Sequence, residues 1–511
     1  MALQKRVFVV PHFHYDLAWI SSERANLRKA YKILGRVMDI MERDRDFTYV
    51  VDQAFYLEKM KQEEPRLFRR LAERIAEGRV EVVNAGYLMP DLNLVSPFVL
   101  KKDFEMMNAF ARREFDTAPR VAWMIDCFGS PGIMPRIVRE SGLKYYVFWR
   151  GMNSPDSGQE FYWTGSDGTS ILVHWMKHGY SQYGYRFDNL MKATDELKPT
   201  TDVALVPFGA DFYVPHEKLI RQVQRTENAK FALPSEFFRE VEKHGRDLPT
   251  VEGEMLSDYA NFRGCYSSRV SFKQLYRRAE KEALGKEATE DEWKNLLYSA
   301  FHDLICGTGI DEVYPSAEKK LRSIKTEKKP AREGRMYDGE FLSGVSFELK
   351  REEGDLYHTK PSVKVALPQN SVKLEARLNG NTLNLLAETD FQFPGHVLRL
   401  VVSTGIANGR LVHHLWKDTF AERKLNTLYA FNDSFEYTDK NDSGLRFASD
   451  DCFDYEVKDN GNVYVTLVRS VEILSHGDAG PRARCPNALE LGKRRFRMAI
   501  SSLGRNLLLK S

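Results

Sequence analysis

Over the first 260 or so residues, short apolar runs alternate with charged stretches of helical period. The runs are VFVV (7–10), FTYVV (47–51), VEVV (80–83), VAWMI (121–125), YYVF (145–148), SILVHW (170–175) and VALVP (203–207), with KFAL (230–233) as a weaker eighth. LRKAYKILGRVMDIMERD and PSEFFREVEKH are among the helix candidates between them. Near-continuous apolar strands alternating with helices predict a parallel sheet covered by helices. Seven or eight such units fit a (β/α) barrel, with an open doubly wound sheet as the alternative. From about residue 265 the strand runs stop. TEDEWKNLLYSAFHDLI predicts a helix over 289–305, with a capping box of Thr289 and Glu292 and one apolar stripe through Trp293, Leu296, Leu297, Ala300, Phe301 and Leu304. A charged linker, TEKKPAREGR (326–335), follows. Beyond it SVKVALP, SVKLEARL, HVLRLVVSTG and NVYVTLVRSVEIL have strand character between Gly, Asn and Asp turns. The predicted class is α/β: an N-terminal (β/α)7-type barrel over 1–262, a helical-bundle domain over 263–330, and a β-sandwich-like C-terminal region over 331–511.

Composition narrows the choice of partner. The chain has 511 residues, too many for one hydrophobic core. Its formal charge of +3 is too balanced for nucleic acid or an anionic membrane as the main partner. The apolar stretch before Pro11 is only four residues long, so neither a signal peptide nor a membrane helix is expected. The five cysteines are scattered, with no CxxC pair, which argues for the reducing cytoplasm over a disulfide scaffold or zinc ribbon.

The polar residues fall where the apolar runs end. VFVV leads to His12, His14 and Asp16, VEVV to Asp91, VAWMI to Asp126, YYVFW to Arg150, and VALVPFGA to Asp211. In parallel α/β folds chemistry sits at these carboxyl ends of strands. An HxH pair on extended chain points both rings one way, with Asp16 next on that side. Imidazole plus carboxylate suits a borderline cation such as Zn²⁺. The competing reading is that the histidines only satisfy backbone groups at a strand end. His302 lies roughly opposite the apolar stripe of the 289–305 helix, where a histidine is ordinarily solvated and becomes a ligand only if that face covers the site. Asp211 could instead cap the next helix.

At these residues the chain resembles glycoside hydrolase family 38, the α-mannosidases, as a compact prokaryotic-type member. His12-Phe13-His14-Tyr15-Asp16-Leu17-Ala18-Trp19 matches the family's opening HxHxDxxW motif. AWMIDCFGSPG, GYLMPDLNL, GCYSSRVSFKQLYRRAE and FHDLICGTGIDEVY match further blocks in the family's order, and VTLVRSVEILSHGDAGPRARCPN resembles its β region. The resemblance implies a retaining α-mannosidase acting through a covalent glycosyl-aspartate. It implies a metal site of His14, Asp16, Asp126 and His302, with His12 beside it. Asp126 would double as the nucleophile. Trp19 would wall the sugar pocket, and Asp303 and Arg150 would bind sugar hydroxyls. Tyr180 is a further pocket candidate. Asp211 would be the acid/base, although Ala210 stands where better-known members have the first aspartate of a GDDF pattern; Asp91 is the reserve acid. The cofactor implied is one divalent cation, Zn²⁺ ahead of Co²⁺, Mn²⁺ or Ca²⁺. The partner is an α-mannoside oligosaccharide or glycoconjugate, with homo-oligomerisation left open. The alternatives are a metal-dependent sugar deacetylase or amidohydrolase-like hydrolase, and a catalytically degenerate carbohydrate-binding protein.

Overall fold

The computed structural model describes residues 5–152, 158–244, 247–257, 262–324, 335–338, 340–360 and 362–504. The chain divides into two compact units, Met1–Leu92 with Pro97–Asn261, and Asn93–Ser96 with Phe262–Ser511.

The first unit begins with β1 (Arg6–Pro11), then α1 (Glu23–Arg43), β2 (Tyr49–Val51), α2 (Ala54–Glu63), α3 (Pro65–Ala76) and β3 (Val80–Val82). α4 (Pro97–Phe115), β4 (Val121–Met124), α5 (Met134–Glu140) and β5 (Tyr145–Phe148) follow. Next come β6 (Glu160–Thr164), β7 (Ser170–Trp175), α6 (Leu190–Asp195), β8 (Val203–Phe208), α7 (Glu217–Arg225), β9 (Ala229–Phe231), α8 (Pro234–Val241) and β10 (Thr250–Glu252). Each predicted apolar run is a strand, and Val7–Val10, Val121–Met124 and Val203–Phe208 are buried throughout, as strands covered on both faces must be. Ser22 caps α1 by accepting from the Ala25 N–H at 3.4 Å.

Among the described residues the strands form three sheets. The orders are β8-β1-β9, β10-β6-β7-β5-β4 and β2-β3. β1 pairs in parallel with β8 from Arg6↔Val203 to Pro11↔Phe208 and with β9 on its other side. β4, β5 and β7 are also parallel. A uniform ring of strand–helix units is therefore not what this unit presents. The difference lies at β6, which the apolar pattern missed and which runs antiparallel to β7. The turn SDG explains it. Asp167 accepts from the Thr169 N–H at 3.0 Å and the Gly165 N–H reaches the Thr169 carbonyl at 2.9 Å, so the chain reverses within five residues. That is too short for the crossover helix a parallel pair needs.

The second unit carries α9 (Val270–Leu284), α10 (Glu290–Ala300), α11 (His302–Ile305) and α12 (Tyr314–Ser323). Two antiparallel sheets of eight and six strands follow. The predicted capping box is present: Thr289 accepts from the Glu292 N–H and Glu292 from the Thr289 N–H. The predicted helix over 289–305 is broken, however. Phe301 adopts φ −49° and ψ 134°, which ends α10 and restarts the chain as α11. The break turns His302 inward, where it is fully buried, and overturns the solvated placement that unbroken periodicity gave. The linker expected at 326–335 lies, but for Arg335, outside the described residues. No helix among the described residues is long and apolar enough to cross a membrane.

Arg469 is 1% exposed and ties this unit together. Its guanidinium donates to Glu352 at 2.6 and 3.0 Å, to the Asp355 and His358 carbonyls at 2.7 Å each, and to the Ser268 hydroxyl at 2.9 Å. Removing it leaves a buried carboxylate without its counter-charge, which costs about 3–5 kcal/mol. Arg469→Met is accordingly expected to lower the unit's unfolding free energy by about that amount, read as a fall in the urea midpoint without a change in slope.

Candidate metal and catalytic site

The parallel β1–β8 pair continues past its last formal rung. His14 N–H donates to the Ala210 carbonyl at 3.1 Å and Phe212 N–H to the His14 carbonyl at 3.1 Å, so His14 and Asp211 lie side by side. Gly209 permits this approach, because a Cβ there would collide with the His12 carbonyl. The pairing brings two strand ends, 197 positions apart by number (211 − 14), to one place.

Three predicted ligands of the first unit converge. His14 Nε2 is 2.9 Å from Asp16 Oδ1 and 3.6 Å from Asp126 Oδ2. One donor atom from each of the three lies within 4.8 Å of the others, and all three residues are buried. Burial alone would pull the His14 imidazole down; Asp16 first, then Asp126 and Asp211, override it and raise it to about 9. Two carboxylates and an imidazole crowded in the interior are a donor set that fits a borderline divalent cation.

Arg150 holds Asp126. Its guanidinium donates to Asp126 Oδ1 in a short contact and to the Asp126 carbonyl at 3.1 Å, while stacking on Trp149 with the guanidinium 3.8 Å from the ring centre. A charge-assisted bond of this kind favours the ionised carboxylate.

Asp211 has a different setting. The residue is exposed, yet desolvation of its carboxyl by the packed groups around it, then Asp16 and Asp126, push that carboxyl up to about 6, against the opposing pull of His14 and of a hydrogen bond from Tyr180. The Tyr180 hydroxyl donates to Asp211 Oδ1 at 2.7 Å, and burial keeps that phenol protonated. The helix-cap reading for Asp211 fails, since the N-cap of α7 is His216, with no side-chain cap bond. Phe212, next in line, sits at φ +48°, a left-handed conformation costing a bulky residue about 1–3 kcal/mol.

His12 behaves differently from its partner in the HxH pair. Its Nδ1–H donates to the Val10 carbonyl at 3.2 Å, its ring lies edge-on to Trp123 at 5.8 Å, and burial lowers it to about 4, so it is neutral. The backbone-satisfying reading thus describes His12. Asp91 is buried next to the Asp126 loop: Cys127 Sγ donates to the Pro90 carbonyl at 3.2 Å. Trp19 is half-buried at the outer end of the His12–Trp19 loop. In the second unit, Asp303 accepts from the Thr308 hydroxyl at 2.6 Å and lies 3.6 Å from His302 Nε2.

Two supporting residues escaped the sequence reading. Trp149 backs both Arg150 and Tyr180. Gln53 is fully buried and braces two site loops, donating to the Tyr15 carbonyl at 3.0 Å and accepting from the Met89 N–H at 2.9 Å. The signal was a glutamine directly after the apolar run FTYVVD, a residue that burial tolerates only when bonded at both ends. Gln53→Leu strands both backbone groups, at about 1–3 kcal/mol each. Urea unfolding is expected to show that loss, and the Met89 amide should exchange faster.

Residues 4–258 match the model of the Glycosyl hydrolases family 38 N-terminal domain. Alpha-mannosidase 2C1 of Mus musculus is 25% identical over 359 residues, covering 64% of this chain and 34% of the relative. The alpha-mannosidase of Saccharomyces cerevisiae is 25% identical over 353 residues, covering 60% of this chain and 32% of the relative. The chain thus spans about a third of the length of the curated relatives it matches. In fold it is similar to the crystal structure of an alpha-mannosidase from Enterococcus faecalis V583, with a TM-score of 0.81 at 15% identity, covering 98% of this chain and 87% of that one. Through its first 258 residues the chain belongs to glycoside hydrolase family 38.

Proposed function

We propose that the protein is a metal-assisted, retaining α-mannosidase that releases terminal α-linked mannose from an oligosaccharide or glycoconjugate. The observation that carries this reading is the contrast between two aspartates of one site: the buried Asp126, bonded to the Arg150 guanidinium, and Asp211, pushed toward its protonated form and bonded to Tyr180. A retaining glycosidase needs that pair, one carboxylate to attack and one carboxylic acid to give a proton.

In the first step Asp126 attacks the anomeric carbon as the glycosidic C–O bond breaks, and Asp211 transfers its proton to the leaving oxygen. In the second, Asp211 takes a proton from water, whose oxygen attacks the same carbon and releases Asp126. Tyr180 orients the Asp211 carboxyl through both steps. His14, Asp16 and Asp126 would hold the cation, with His302 added as the fourth ligand by the family resemblance and Zn²⁺ preferred by the donor set. When bound, that ion supplies a Lewis acid for the sugar's vicinal hydroxyls. Trp19 and Asp303 are assigned to the sugar pocket on the same resemblance, with Asp91 held in reserve. The helical segment 263–330 is proposed as the part of the second unit that serves the site.

Asp126→Ala is expected to abolish release of an aryl α-mannoside and to lower bound metal in the purified protein, measured by elemental analysis. Asp211→Ala should keep its metal and lose about 100- to 10,000-fold in turnover of poor leaving groups, while sparing the first step for very acidic ones. Equal loss on both classes removes Asp211 from the acid role. His302→Ala is expected to lower metal content below the wild-type stoichiometry; unchanged content removes it from the ligand set. Acetate release from an N-acetylated sugar, with no action on the mannoside, overturns the reading as a whole.

A further inference from the structure

The second unit has a cavity of about 340 Å³ between α9, the end of α12 and the strand Gly492–Leu503. Six cationic side chains line it against only two carboxylates, Glu318 and Asp451. Most of that charge is already paired. Arg322 meets Glu318 at 3.2 Å, Arg497 meets Asp451 at 2.7 Å, Arg494 meets Glu490 at 3.1 Å and Arg495 meets Glu388 at 2.5 Å. Arg278 and Lys493 also line the cavity and make no ion pair among the described residues. Both nearby carboxylates are taken: Asp451 accepts the Arg497 guanidinium through both oxygens and its N–H through one.

Surface arginines and lysines are usually just solvated, and one such cation would mean nothing. Here the excess lies in a concavity, which focuses the field. Arg278 is exposed at the mouth of the cavity, yet partial desolvation, followed by repulsion from Arg497 and Arg322, outweighs the pull of Asp451 and lowers its guanidinium below its ordinary value. Charges crowded this way gain from an incoming anion, and a guanidinium fork matches a tetrahedral oxyanion through two parallel hydrogen bonds. The volume is at the low end for small-molecule pockets, which suits a group about the size of a monosaccharide ester.

We propose that this cavity is an oxyanion-binding site for a phosphate or sulfate group, with Arg278 and Lys493 as the principal donors and Arg322 and Arg495 at its rim. It is built wholly from the second unit, so the proposal stands or falls apart from the mannosidase reading.

The test is calorimetric titration of the full-length protein at low ionic strength with inorganic phosphate and, separately, glucose 6-phosphate, a sugar whose C2 configuration disfavours a mannoside site. Saturable binding that weakens with salt is expected, with at least a tenfold loss in Arg278→Ala and in Lys493→Ala, and partial retention in Arg278→Lys. Circular dichroism checks that each variant folds. Tighter binding of glucose 6-phosphate identifies an ester-borne group as the occupant; equal affinities identify the free anion; either supports the site. No saturable binding of either probe, or binding indifferent to both alanine variants, overturns it.

Discussion

The carboxyl ends of β1, β4 and β8 bring three carboxylates to one imidazole. Asp16 and Asp126 are buried against His14, and Asp211, an exposed residue, lies beside it. Arg150 answers one of them and a protonated His14 a second. Like charges this close repel one another, so the third is best removed or matched. Holding Asp211 in its acid form is one solution, and a divalent cation among His14, Asp16 and Asp126 is the other. The second displaces the His14 proton, since a ligating imidazole is neutral.

Building that cluster is a matter of register. A one-residue slip between β1 and β8 would turn His14 and Asp211 to opposite faces. Six parallel rungs fix the pairing before the chain leaves the sheet. Gly209 lets the backbones come close, and the left-handed Phe212 bends the chain away immediately afterwards. Gln53 then locks the outgoing loop against its neighbour. The rigid elements position the site, and the loops carry it.

Much of this was legible in the residues. Apolar runs ending in His14, Asp126 and Asp211 marked the carboxyl ends of real strands, and burial of whole runs marked a sheet covered on both sides. Two things were hidden. β6 has no apolar run to mark it, and the SDG turn after it reverses the chain so that it runs antiparallel to β7. The break at Phe301 is invisible to periodicity, because nothing in SAFHD forbids a helix; tertiary packing sets that ψ, and with it the burial of His302. The residues alone left the division of labour in HxH open and the family resemblance supplied it; the coordinates give its reason, with His12 bonded to the Val10 carbonyl while His14 faces the carboxylates.

The guanidinium clamp on Asp126 also bears on how such a protein matures. In small zinc modules the ligand charges have no protein counter-ion, so the chain stays unfolded until metal arrives. Here the most chemically burdened carboxylate brings its own partner from the end of β5, twenty-four positions further along the chain. Folding of the first unit need not wait on the cell's supply of trace element. The proposed cation, where it binds, would then meet a chain already folded.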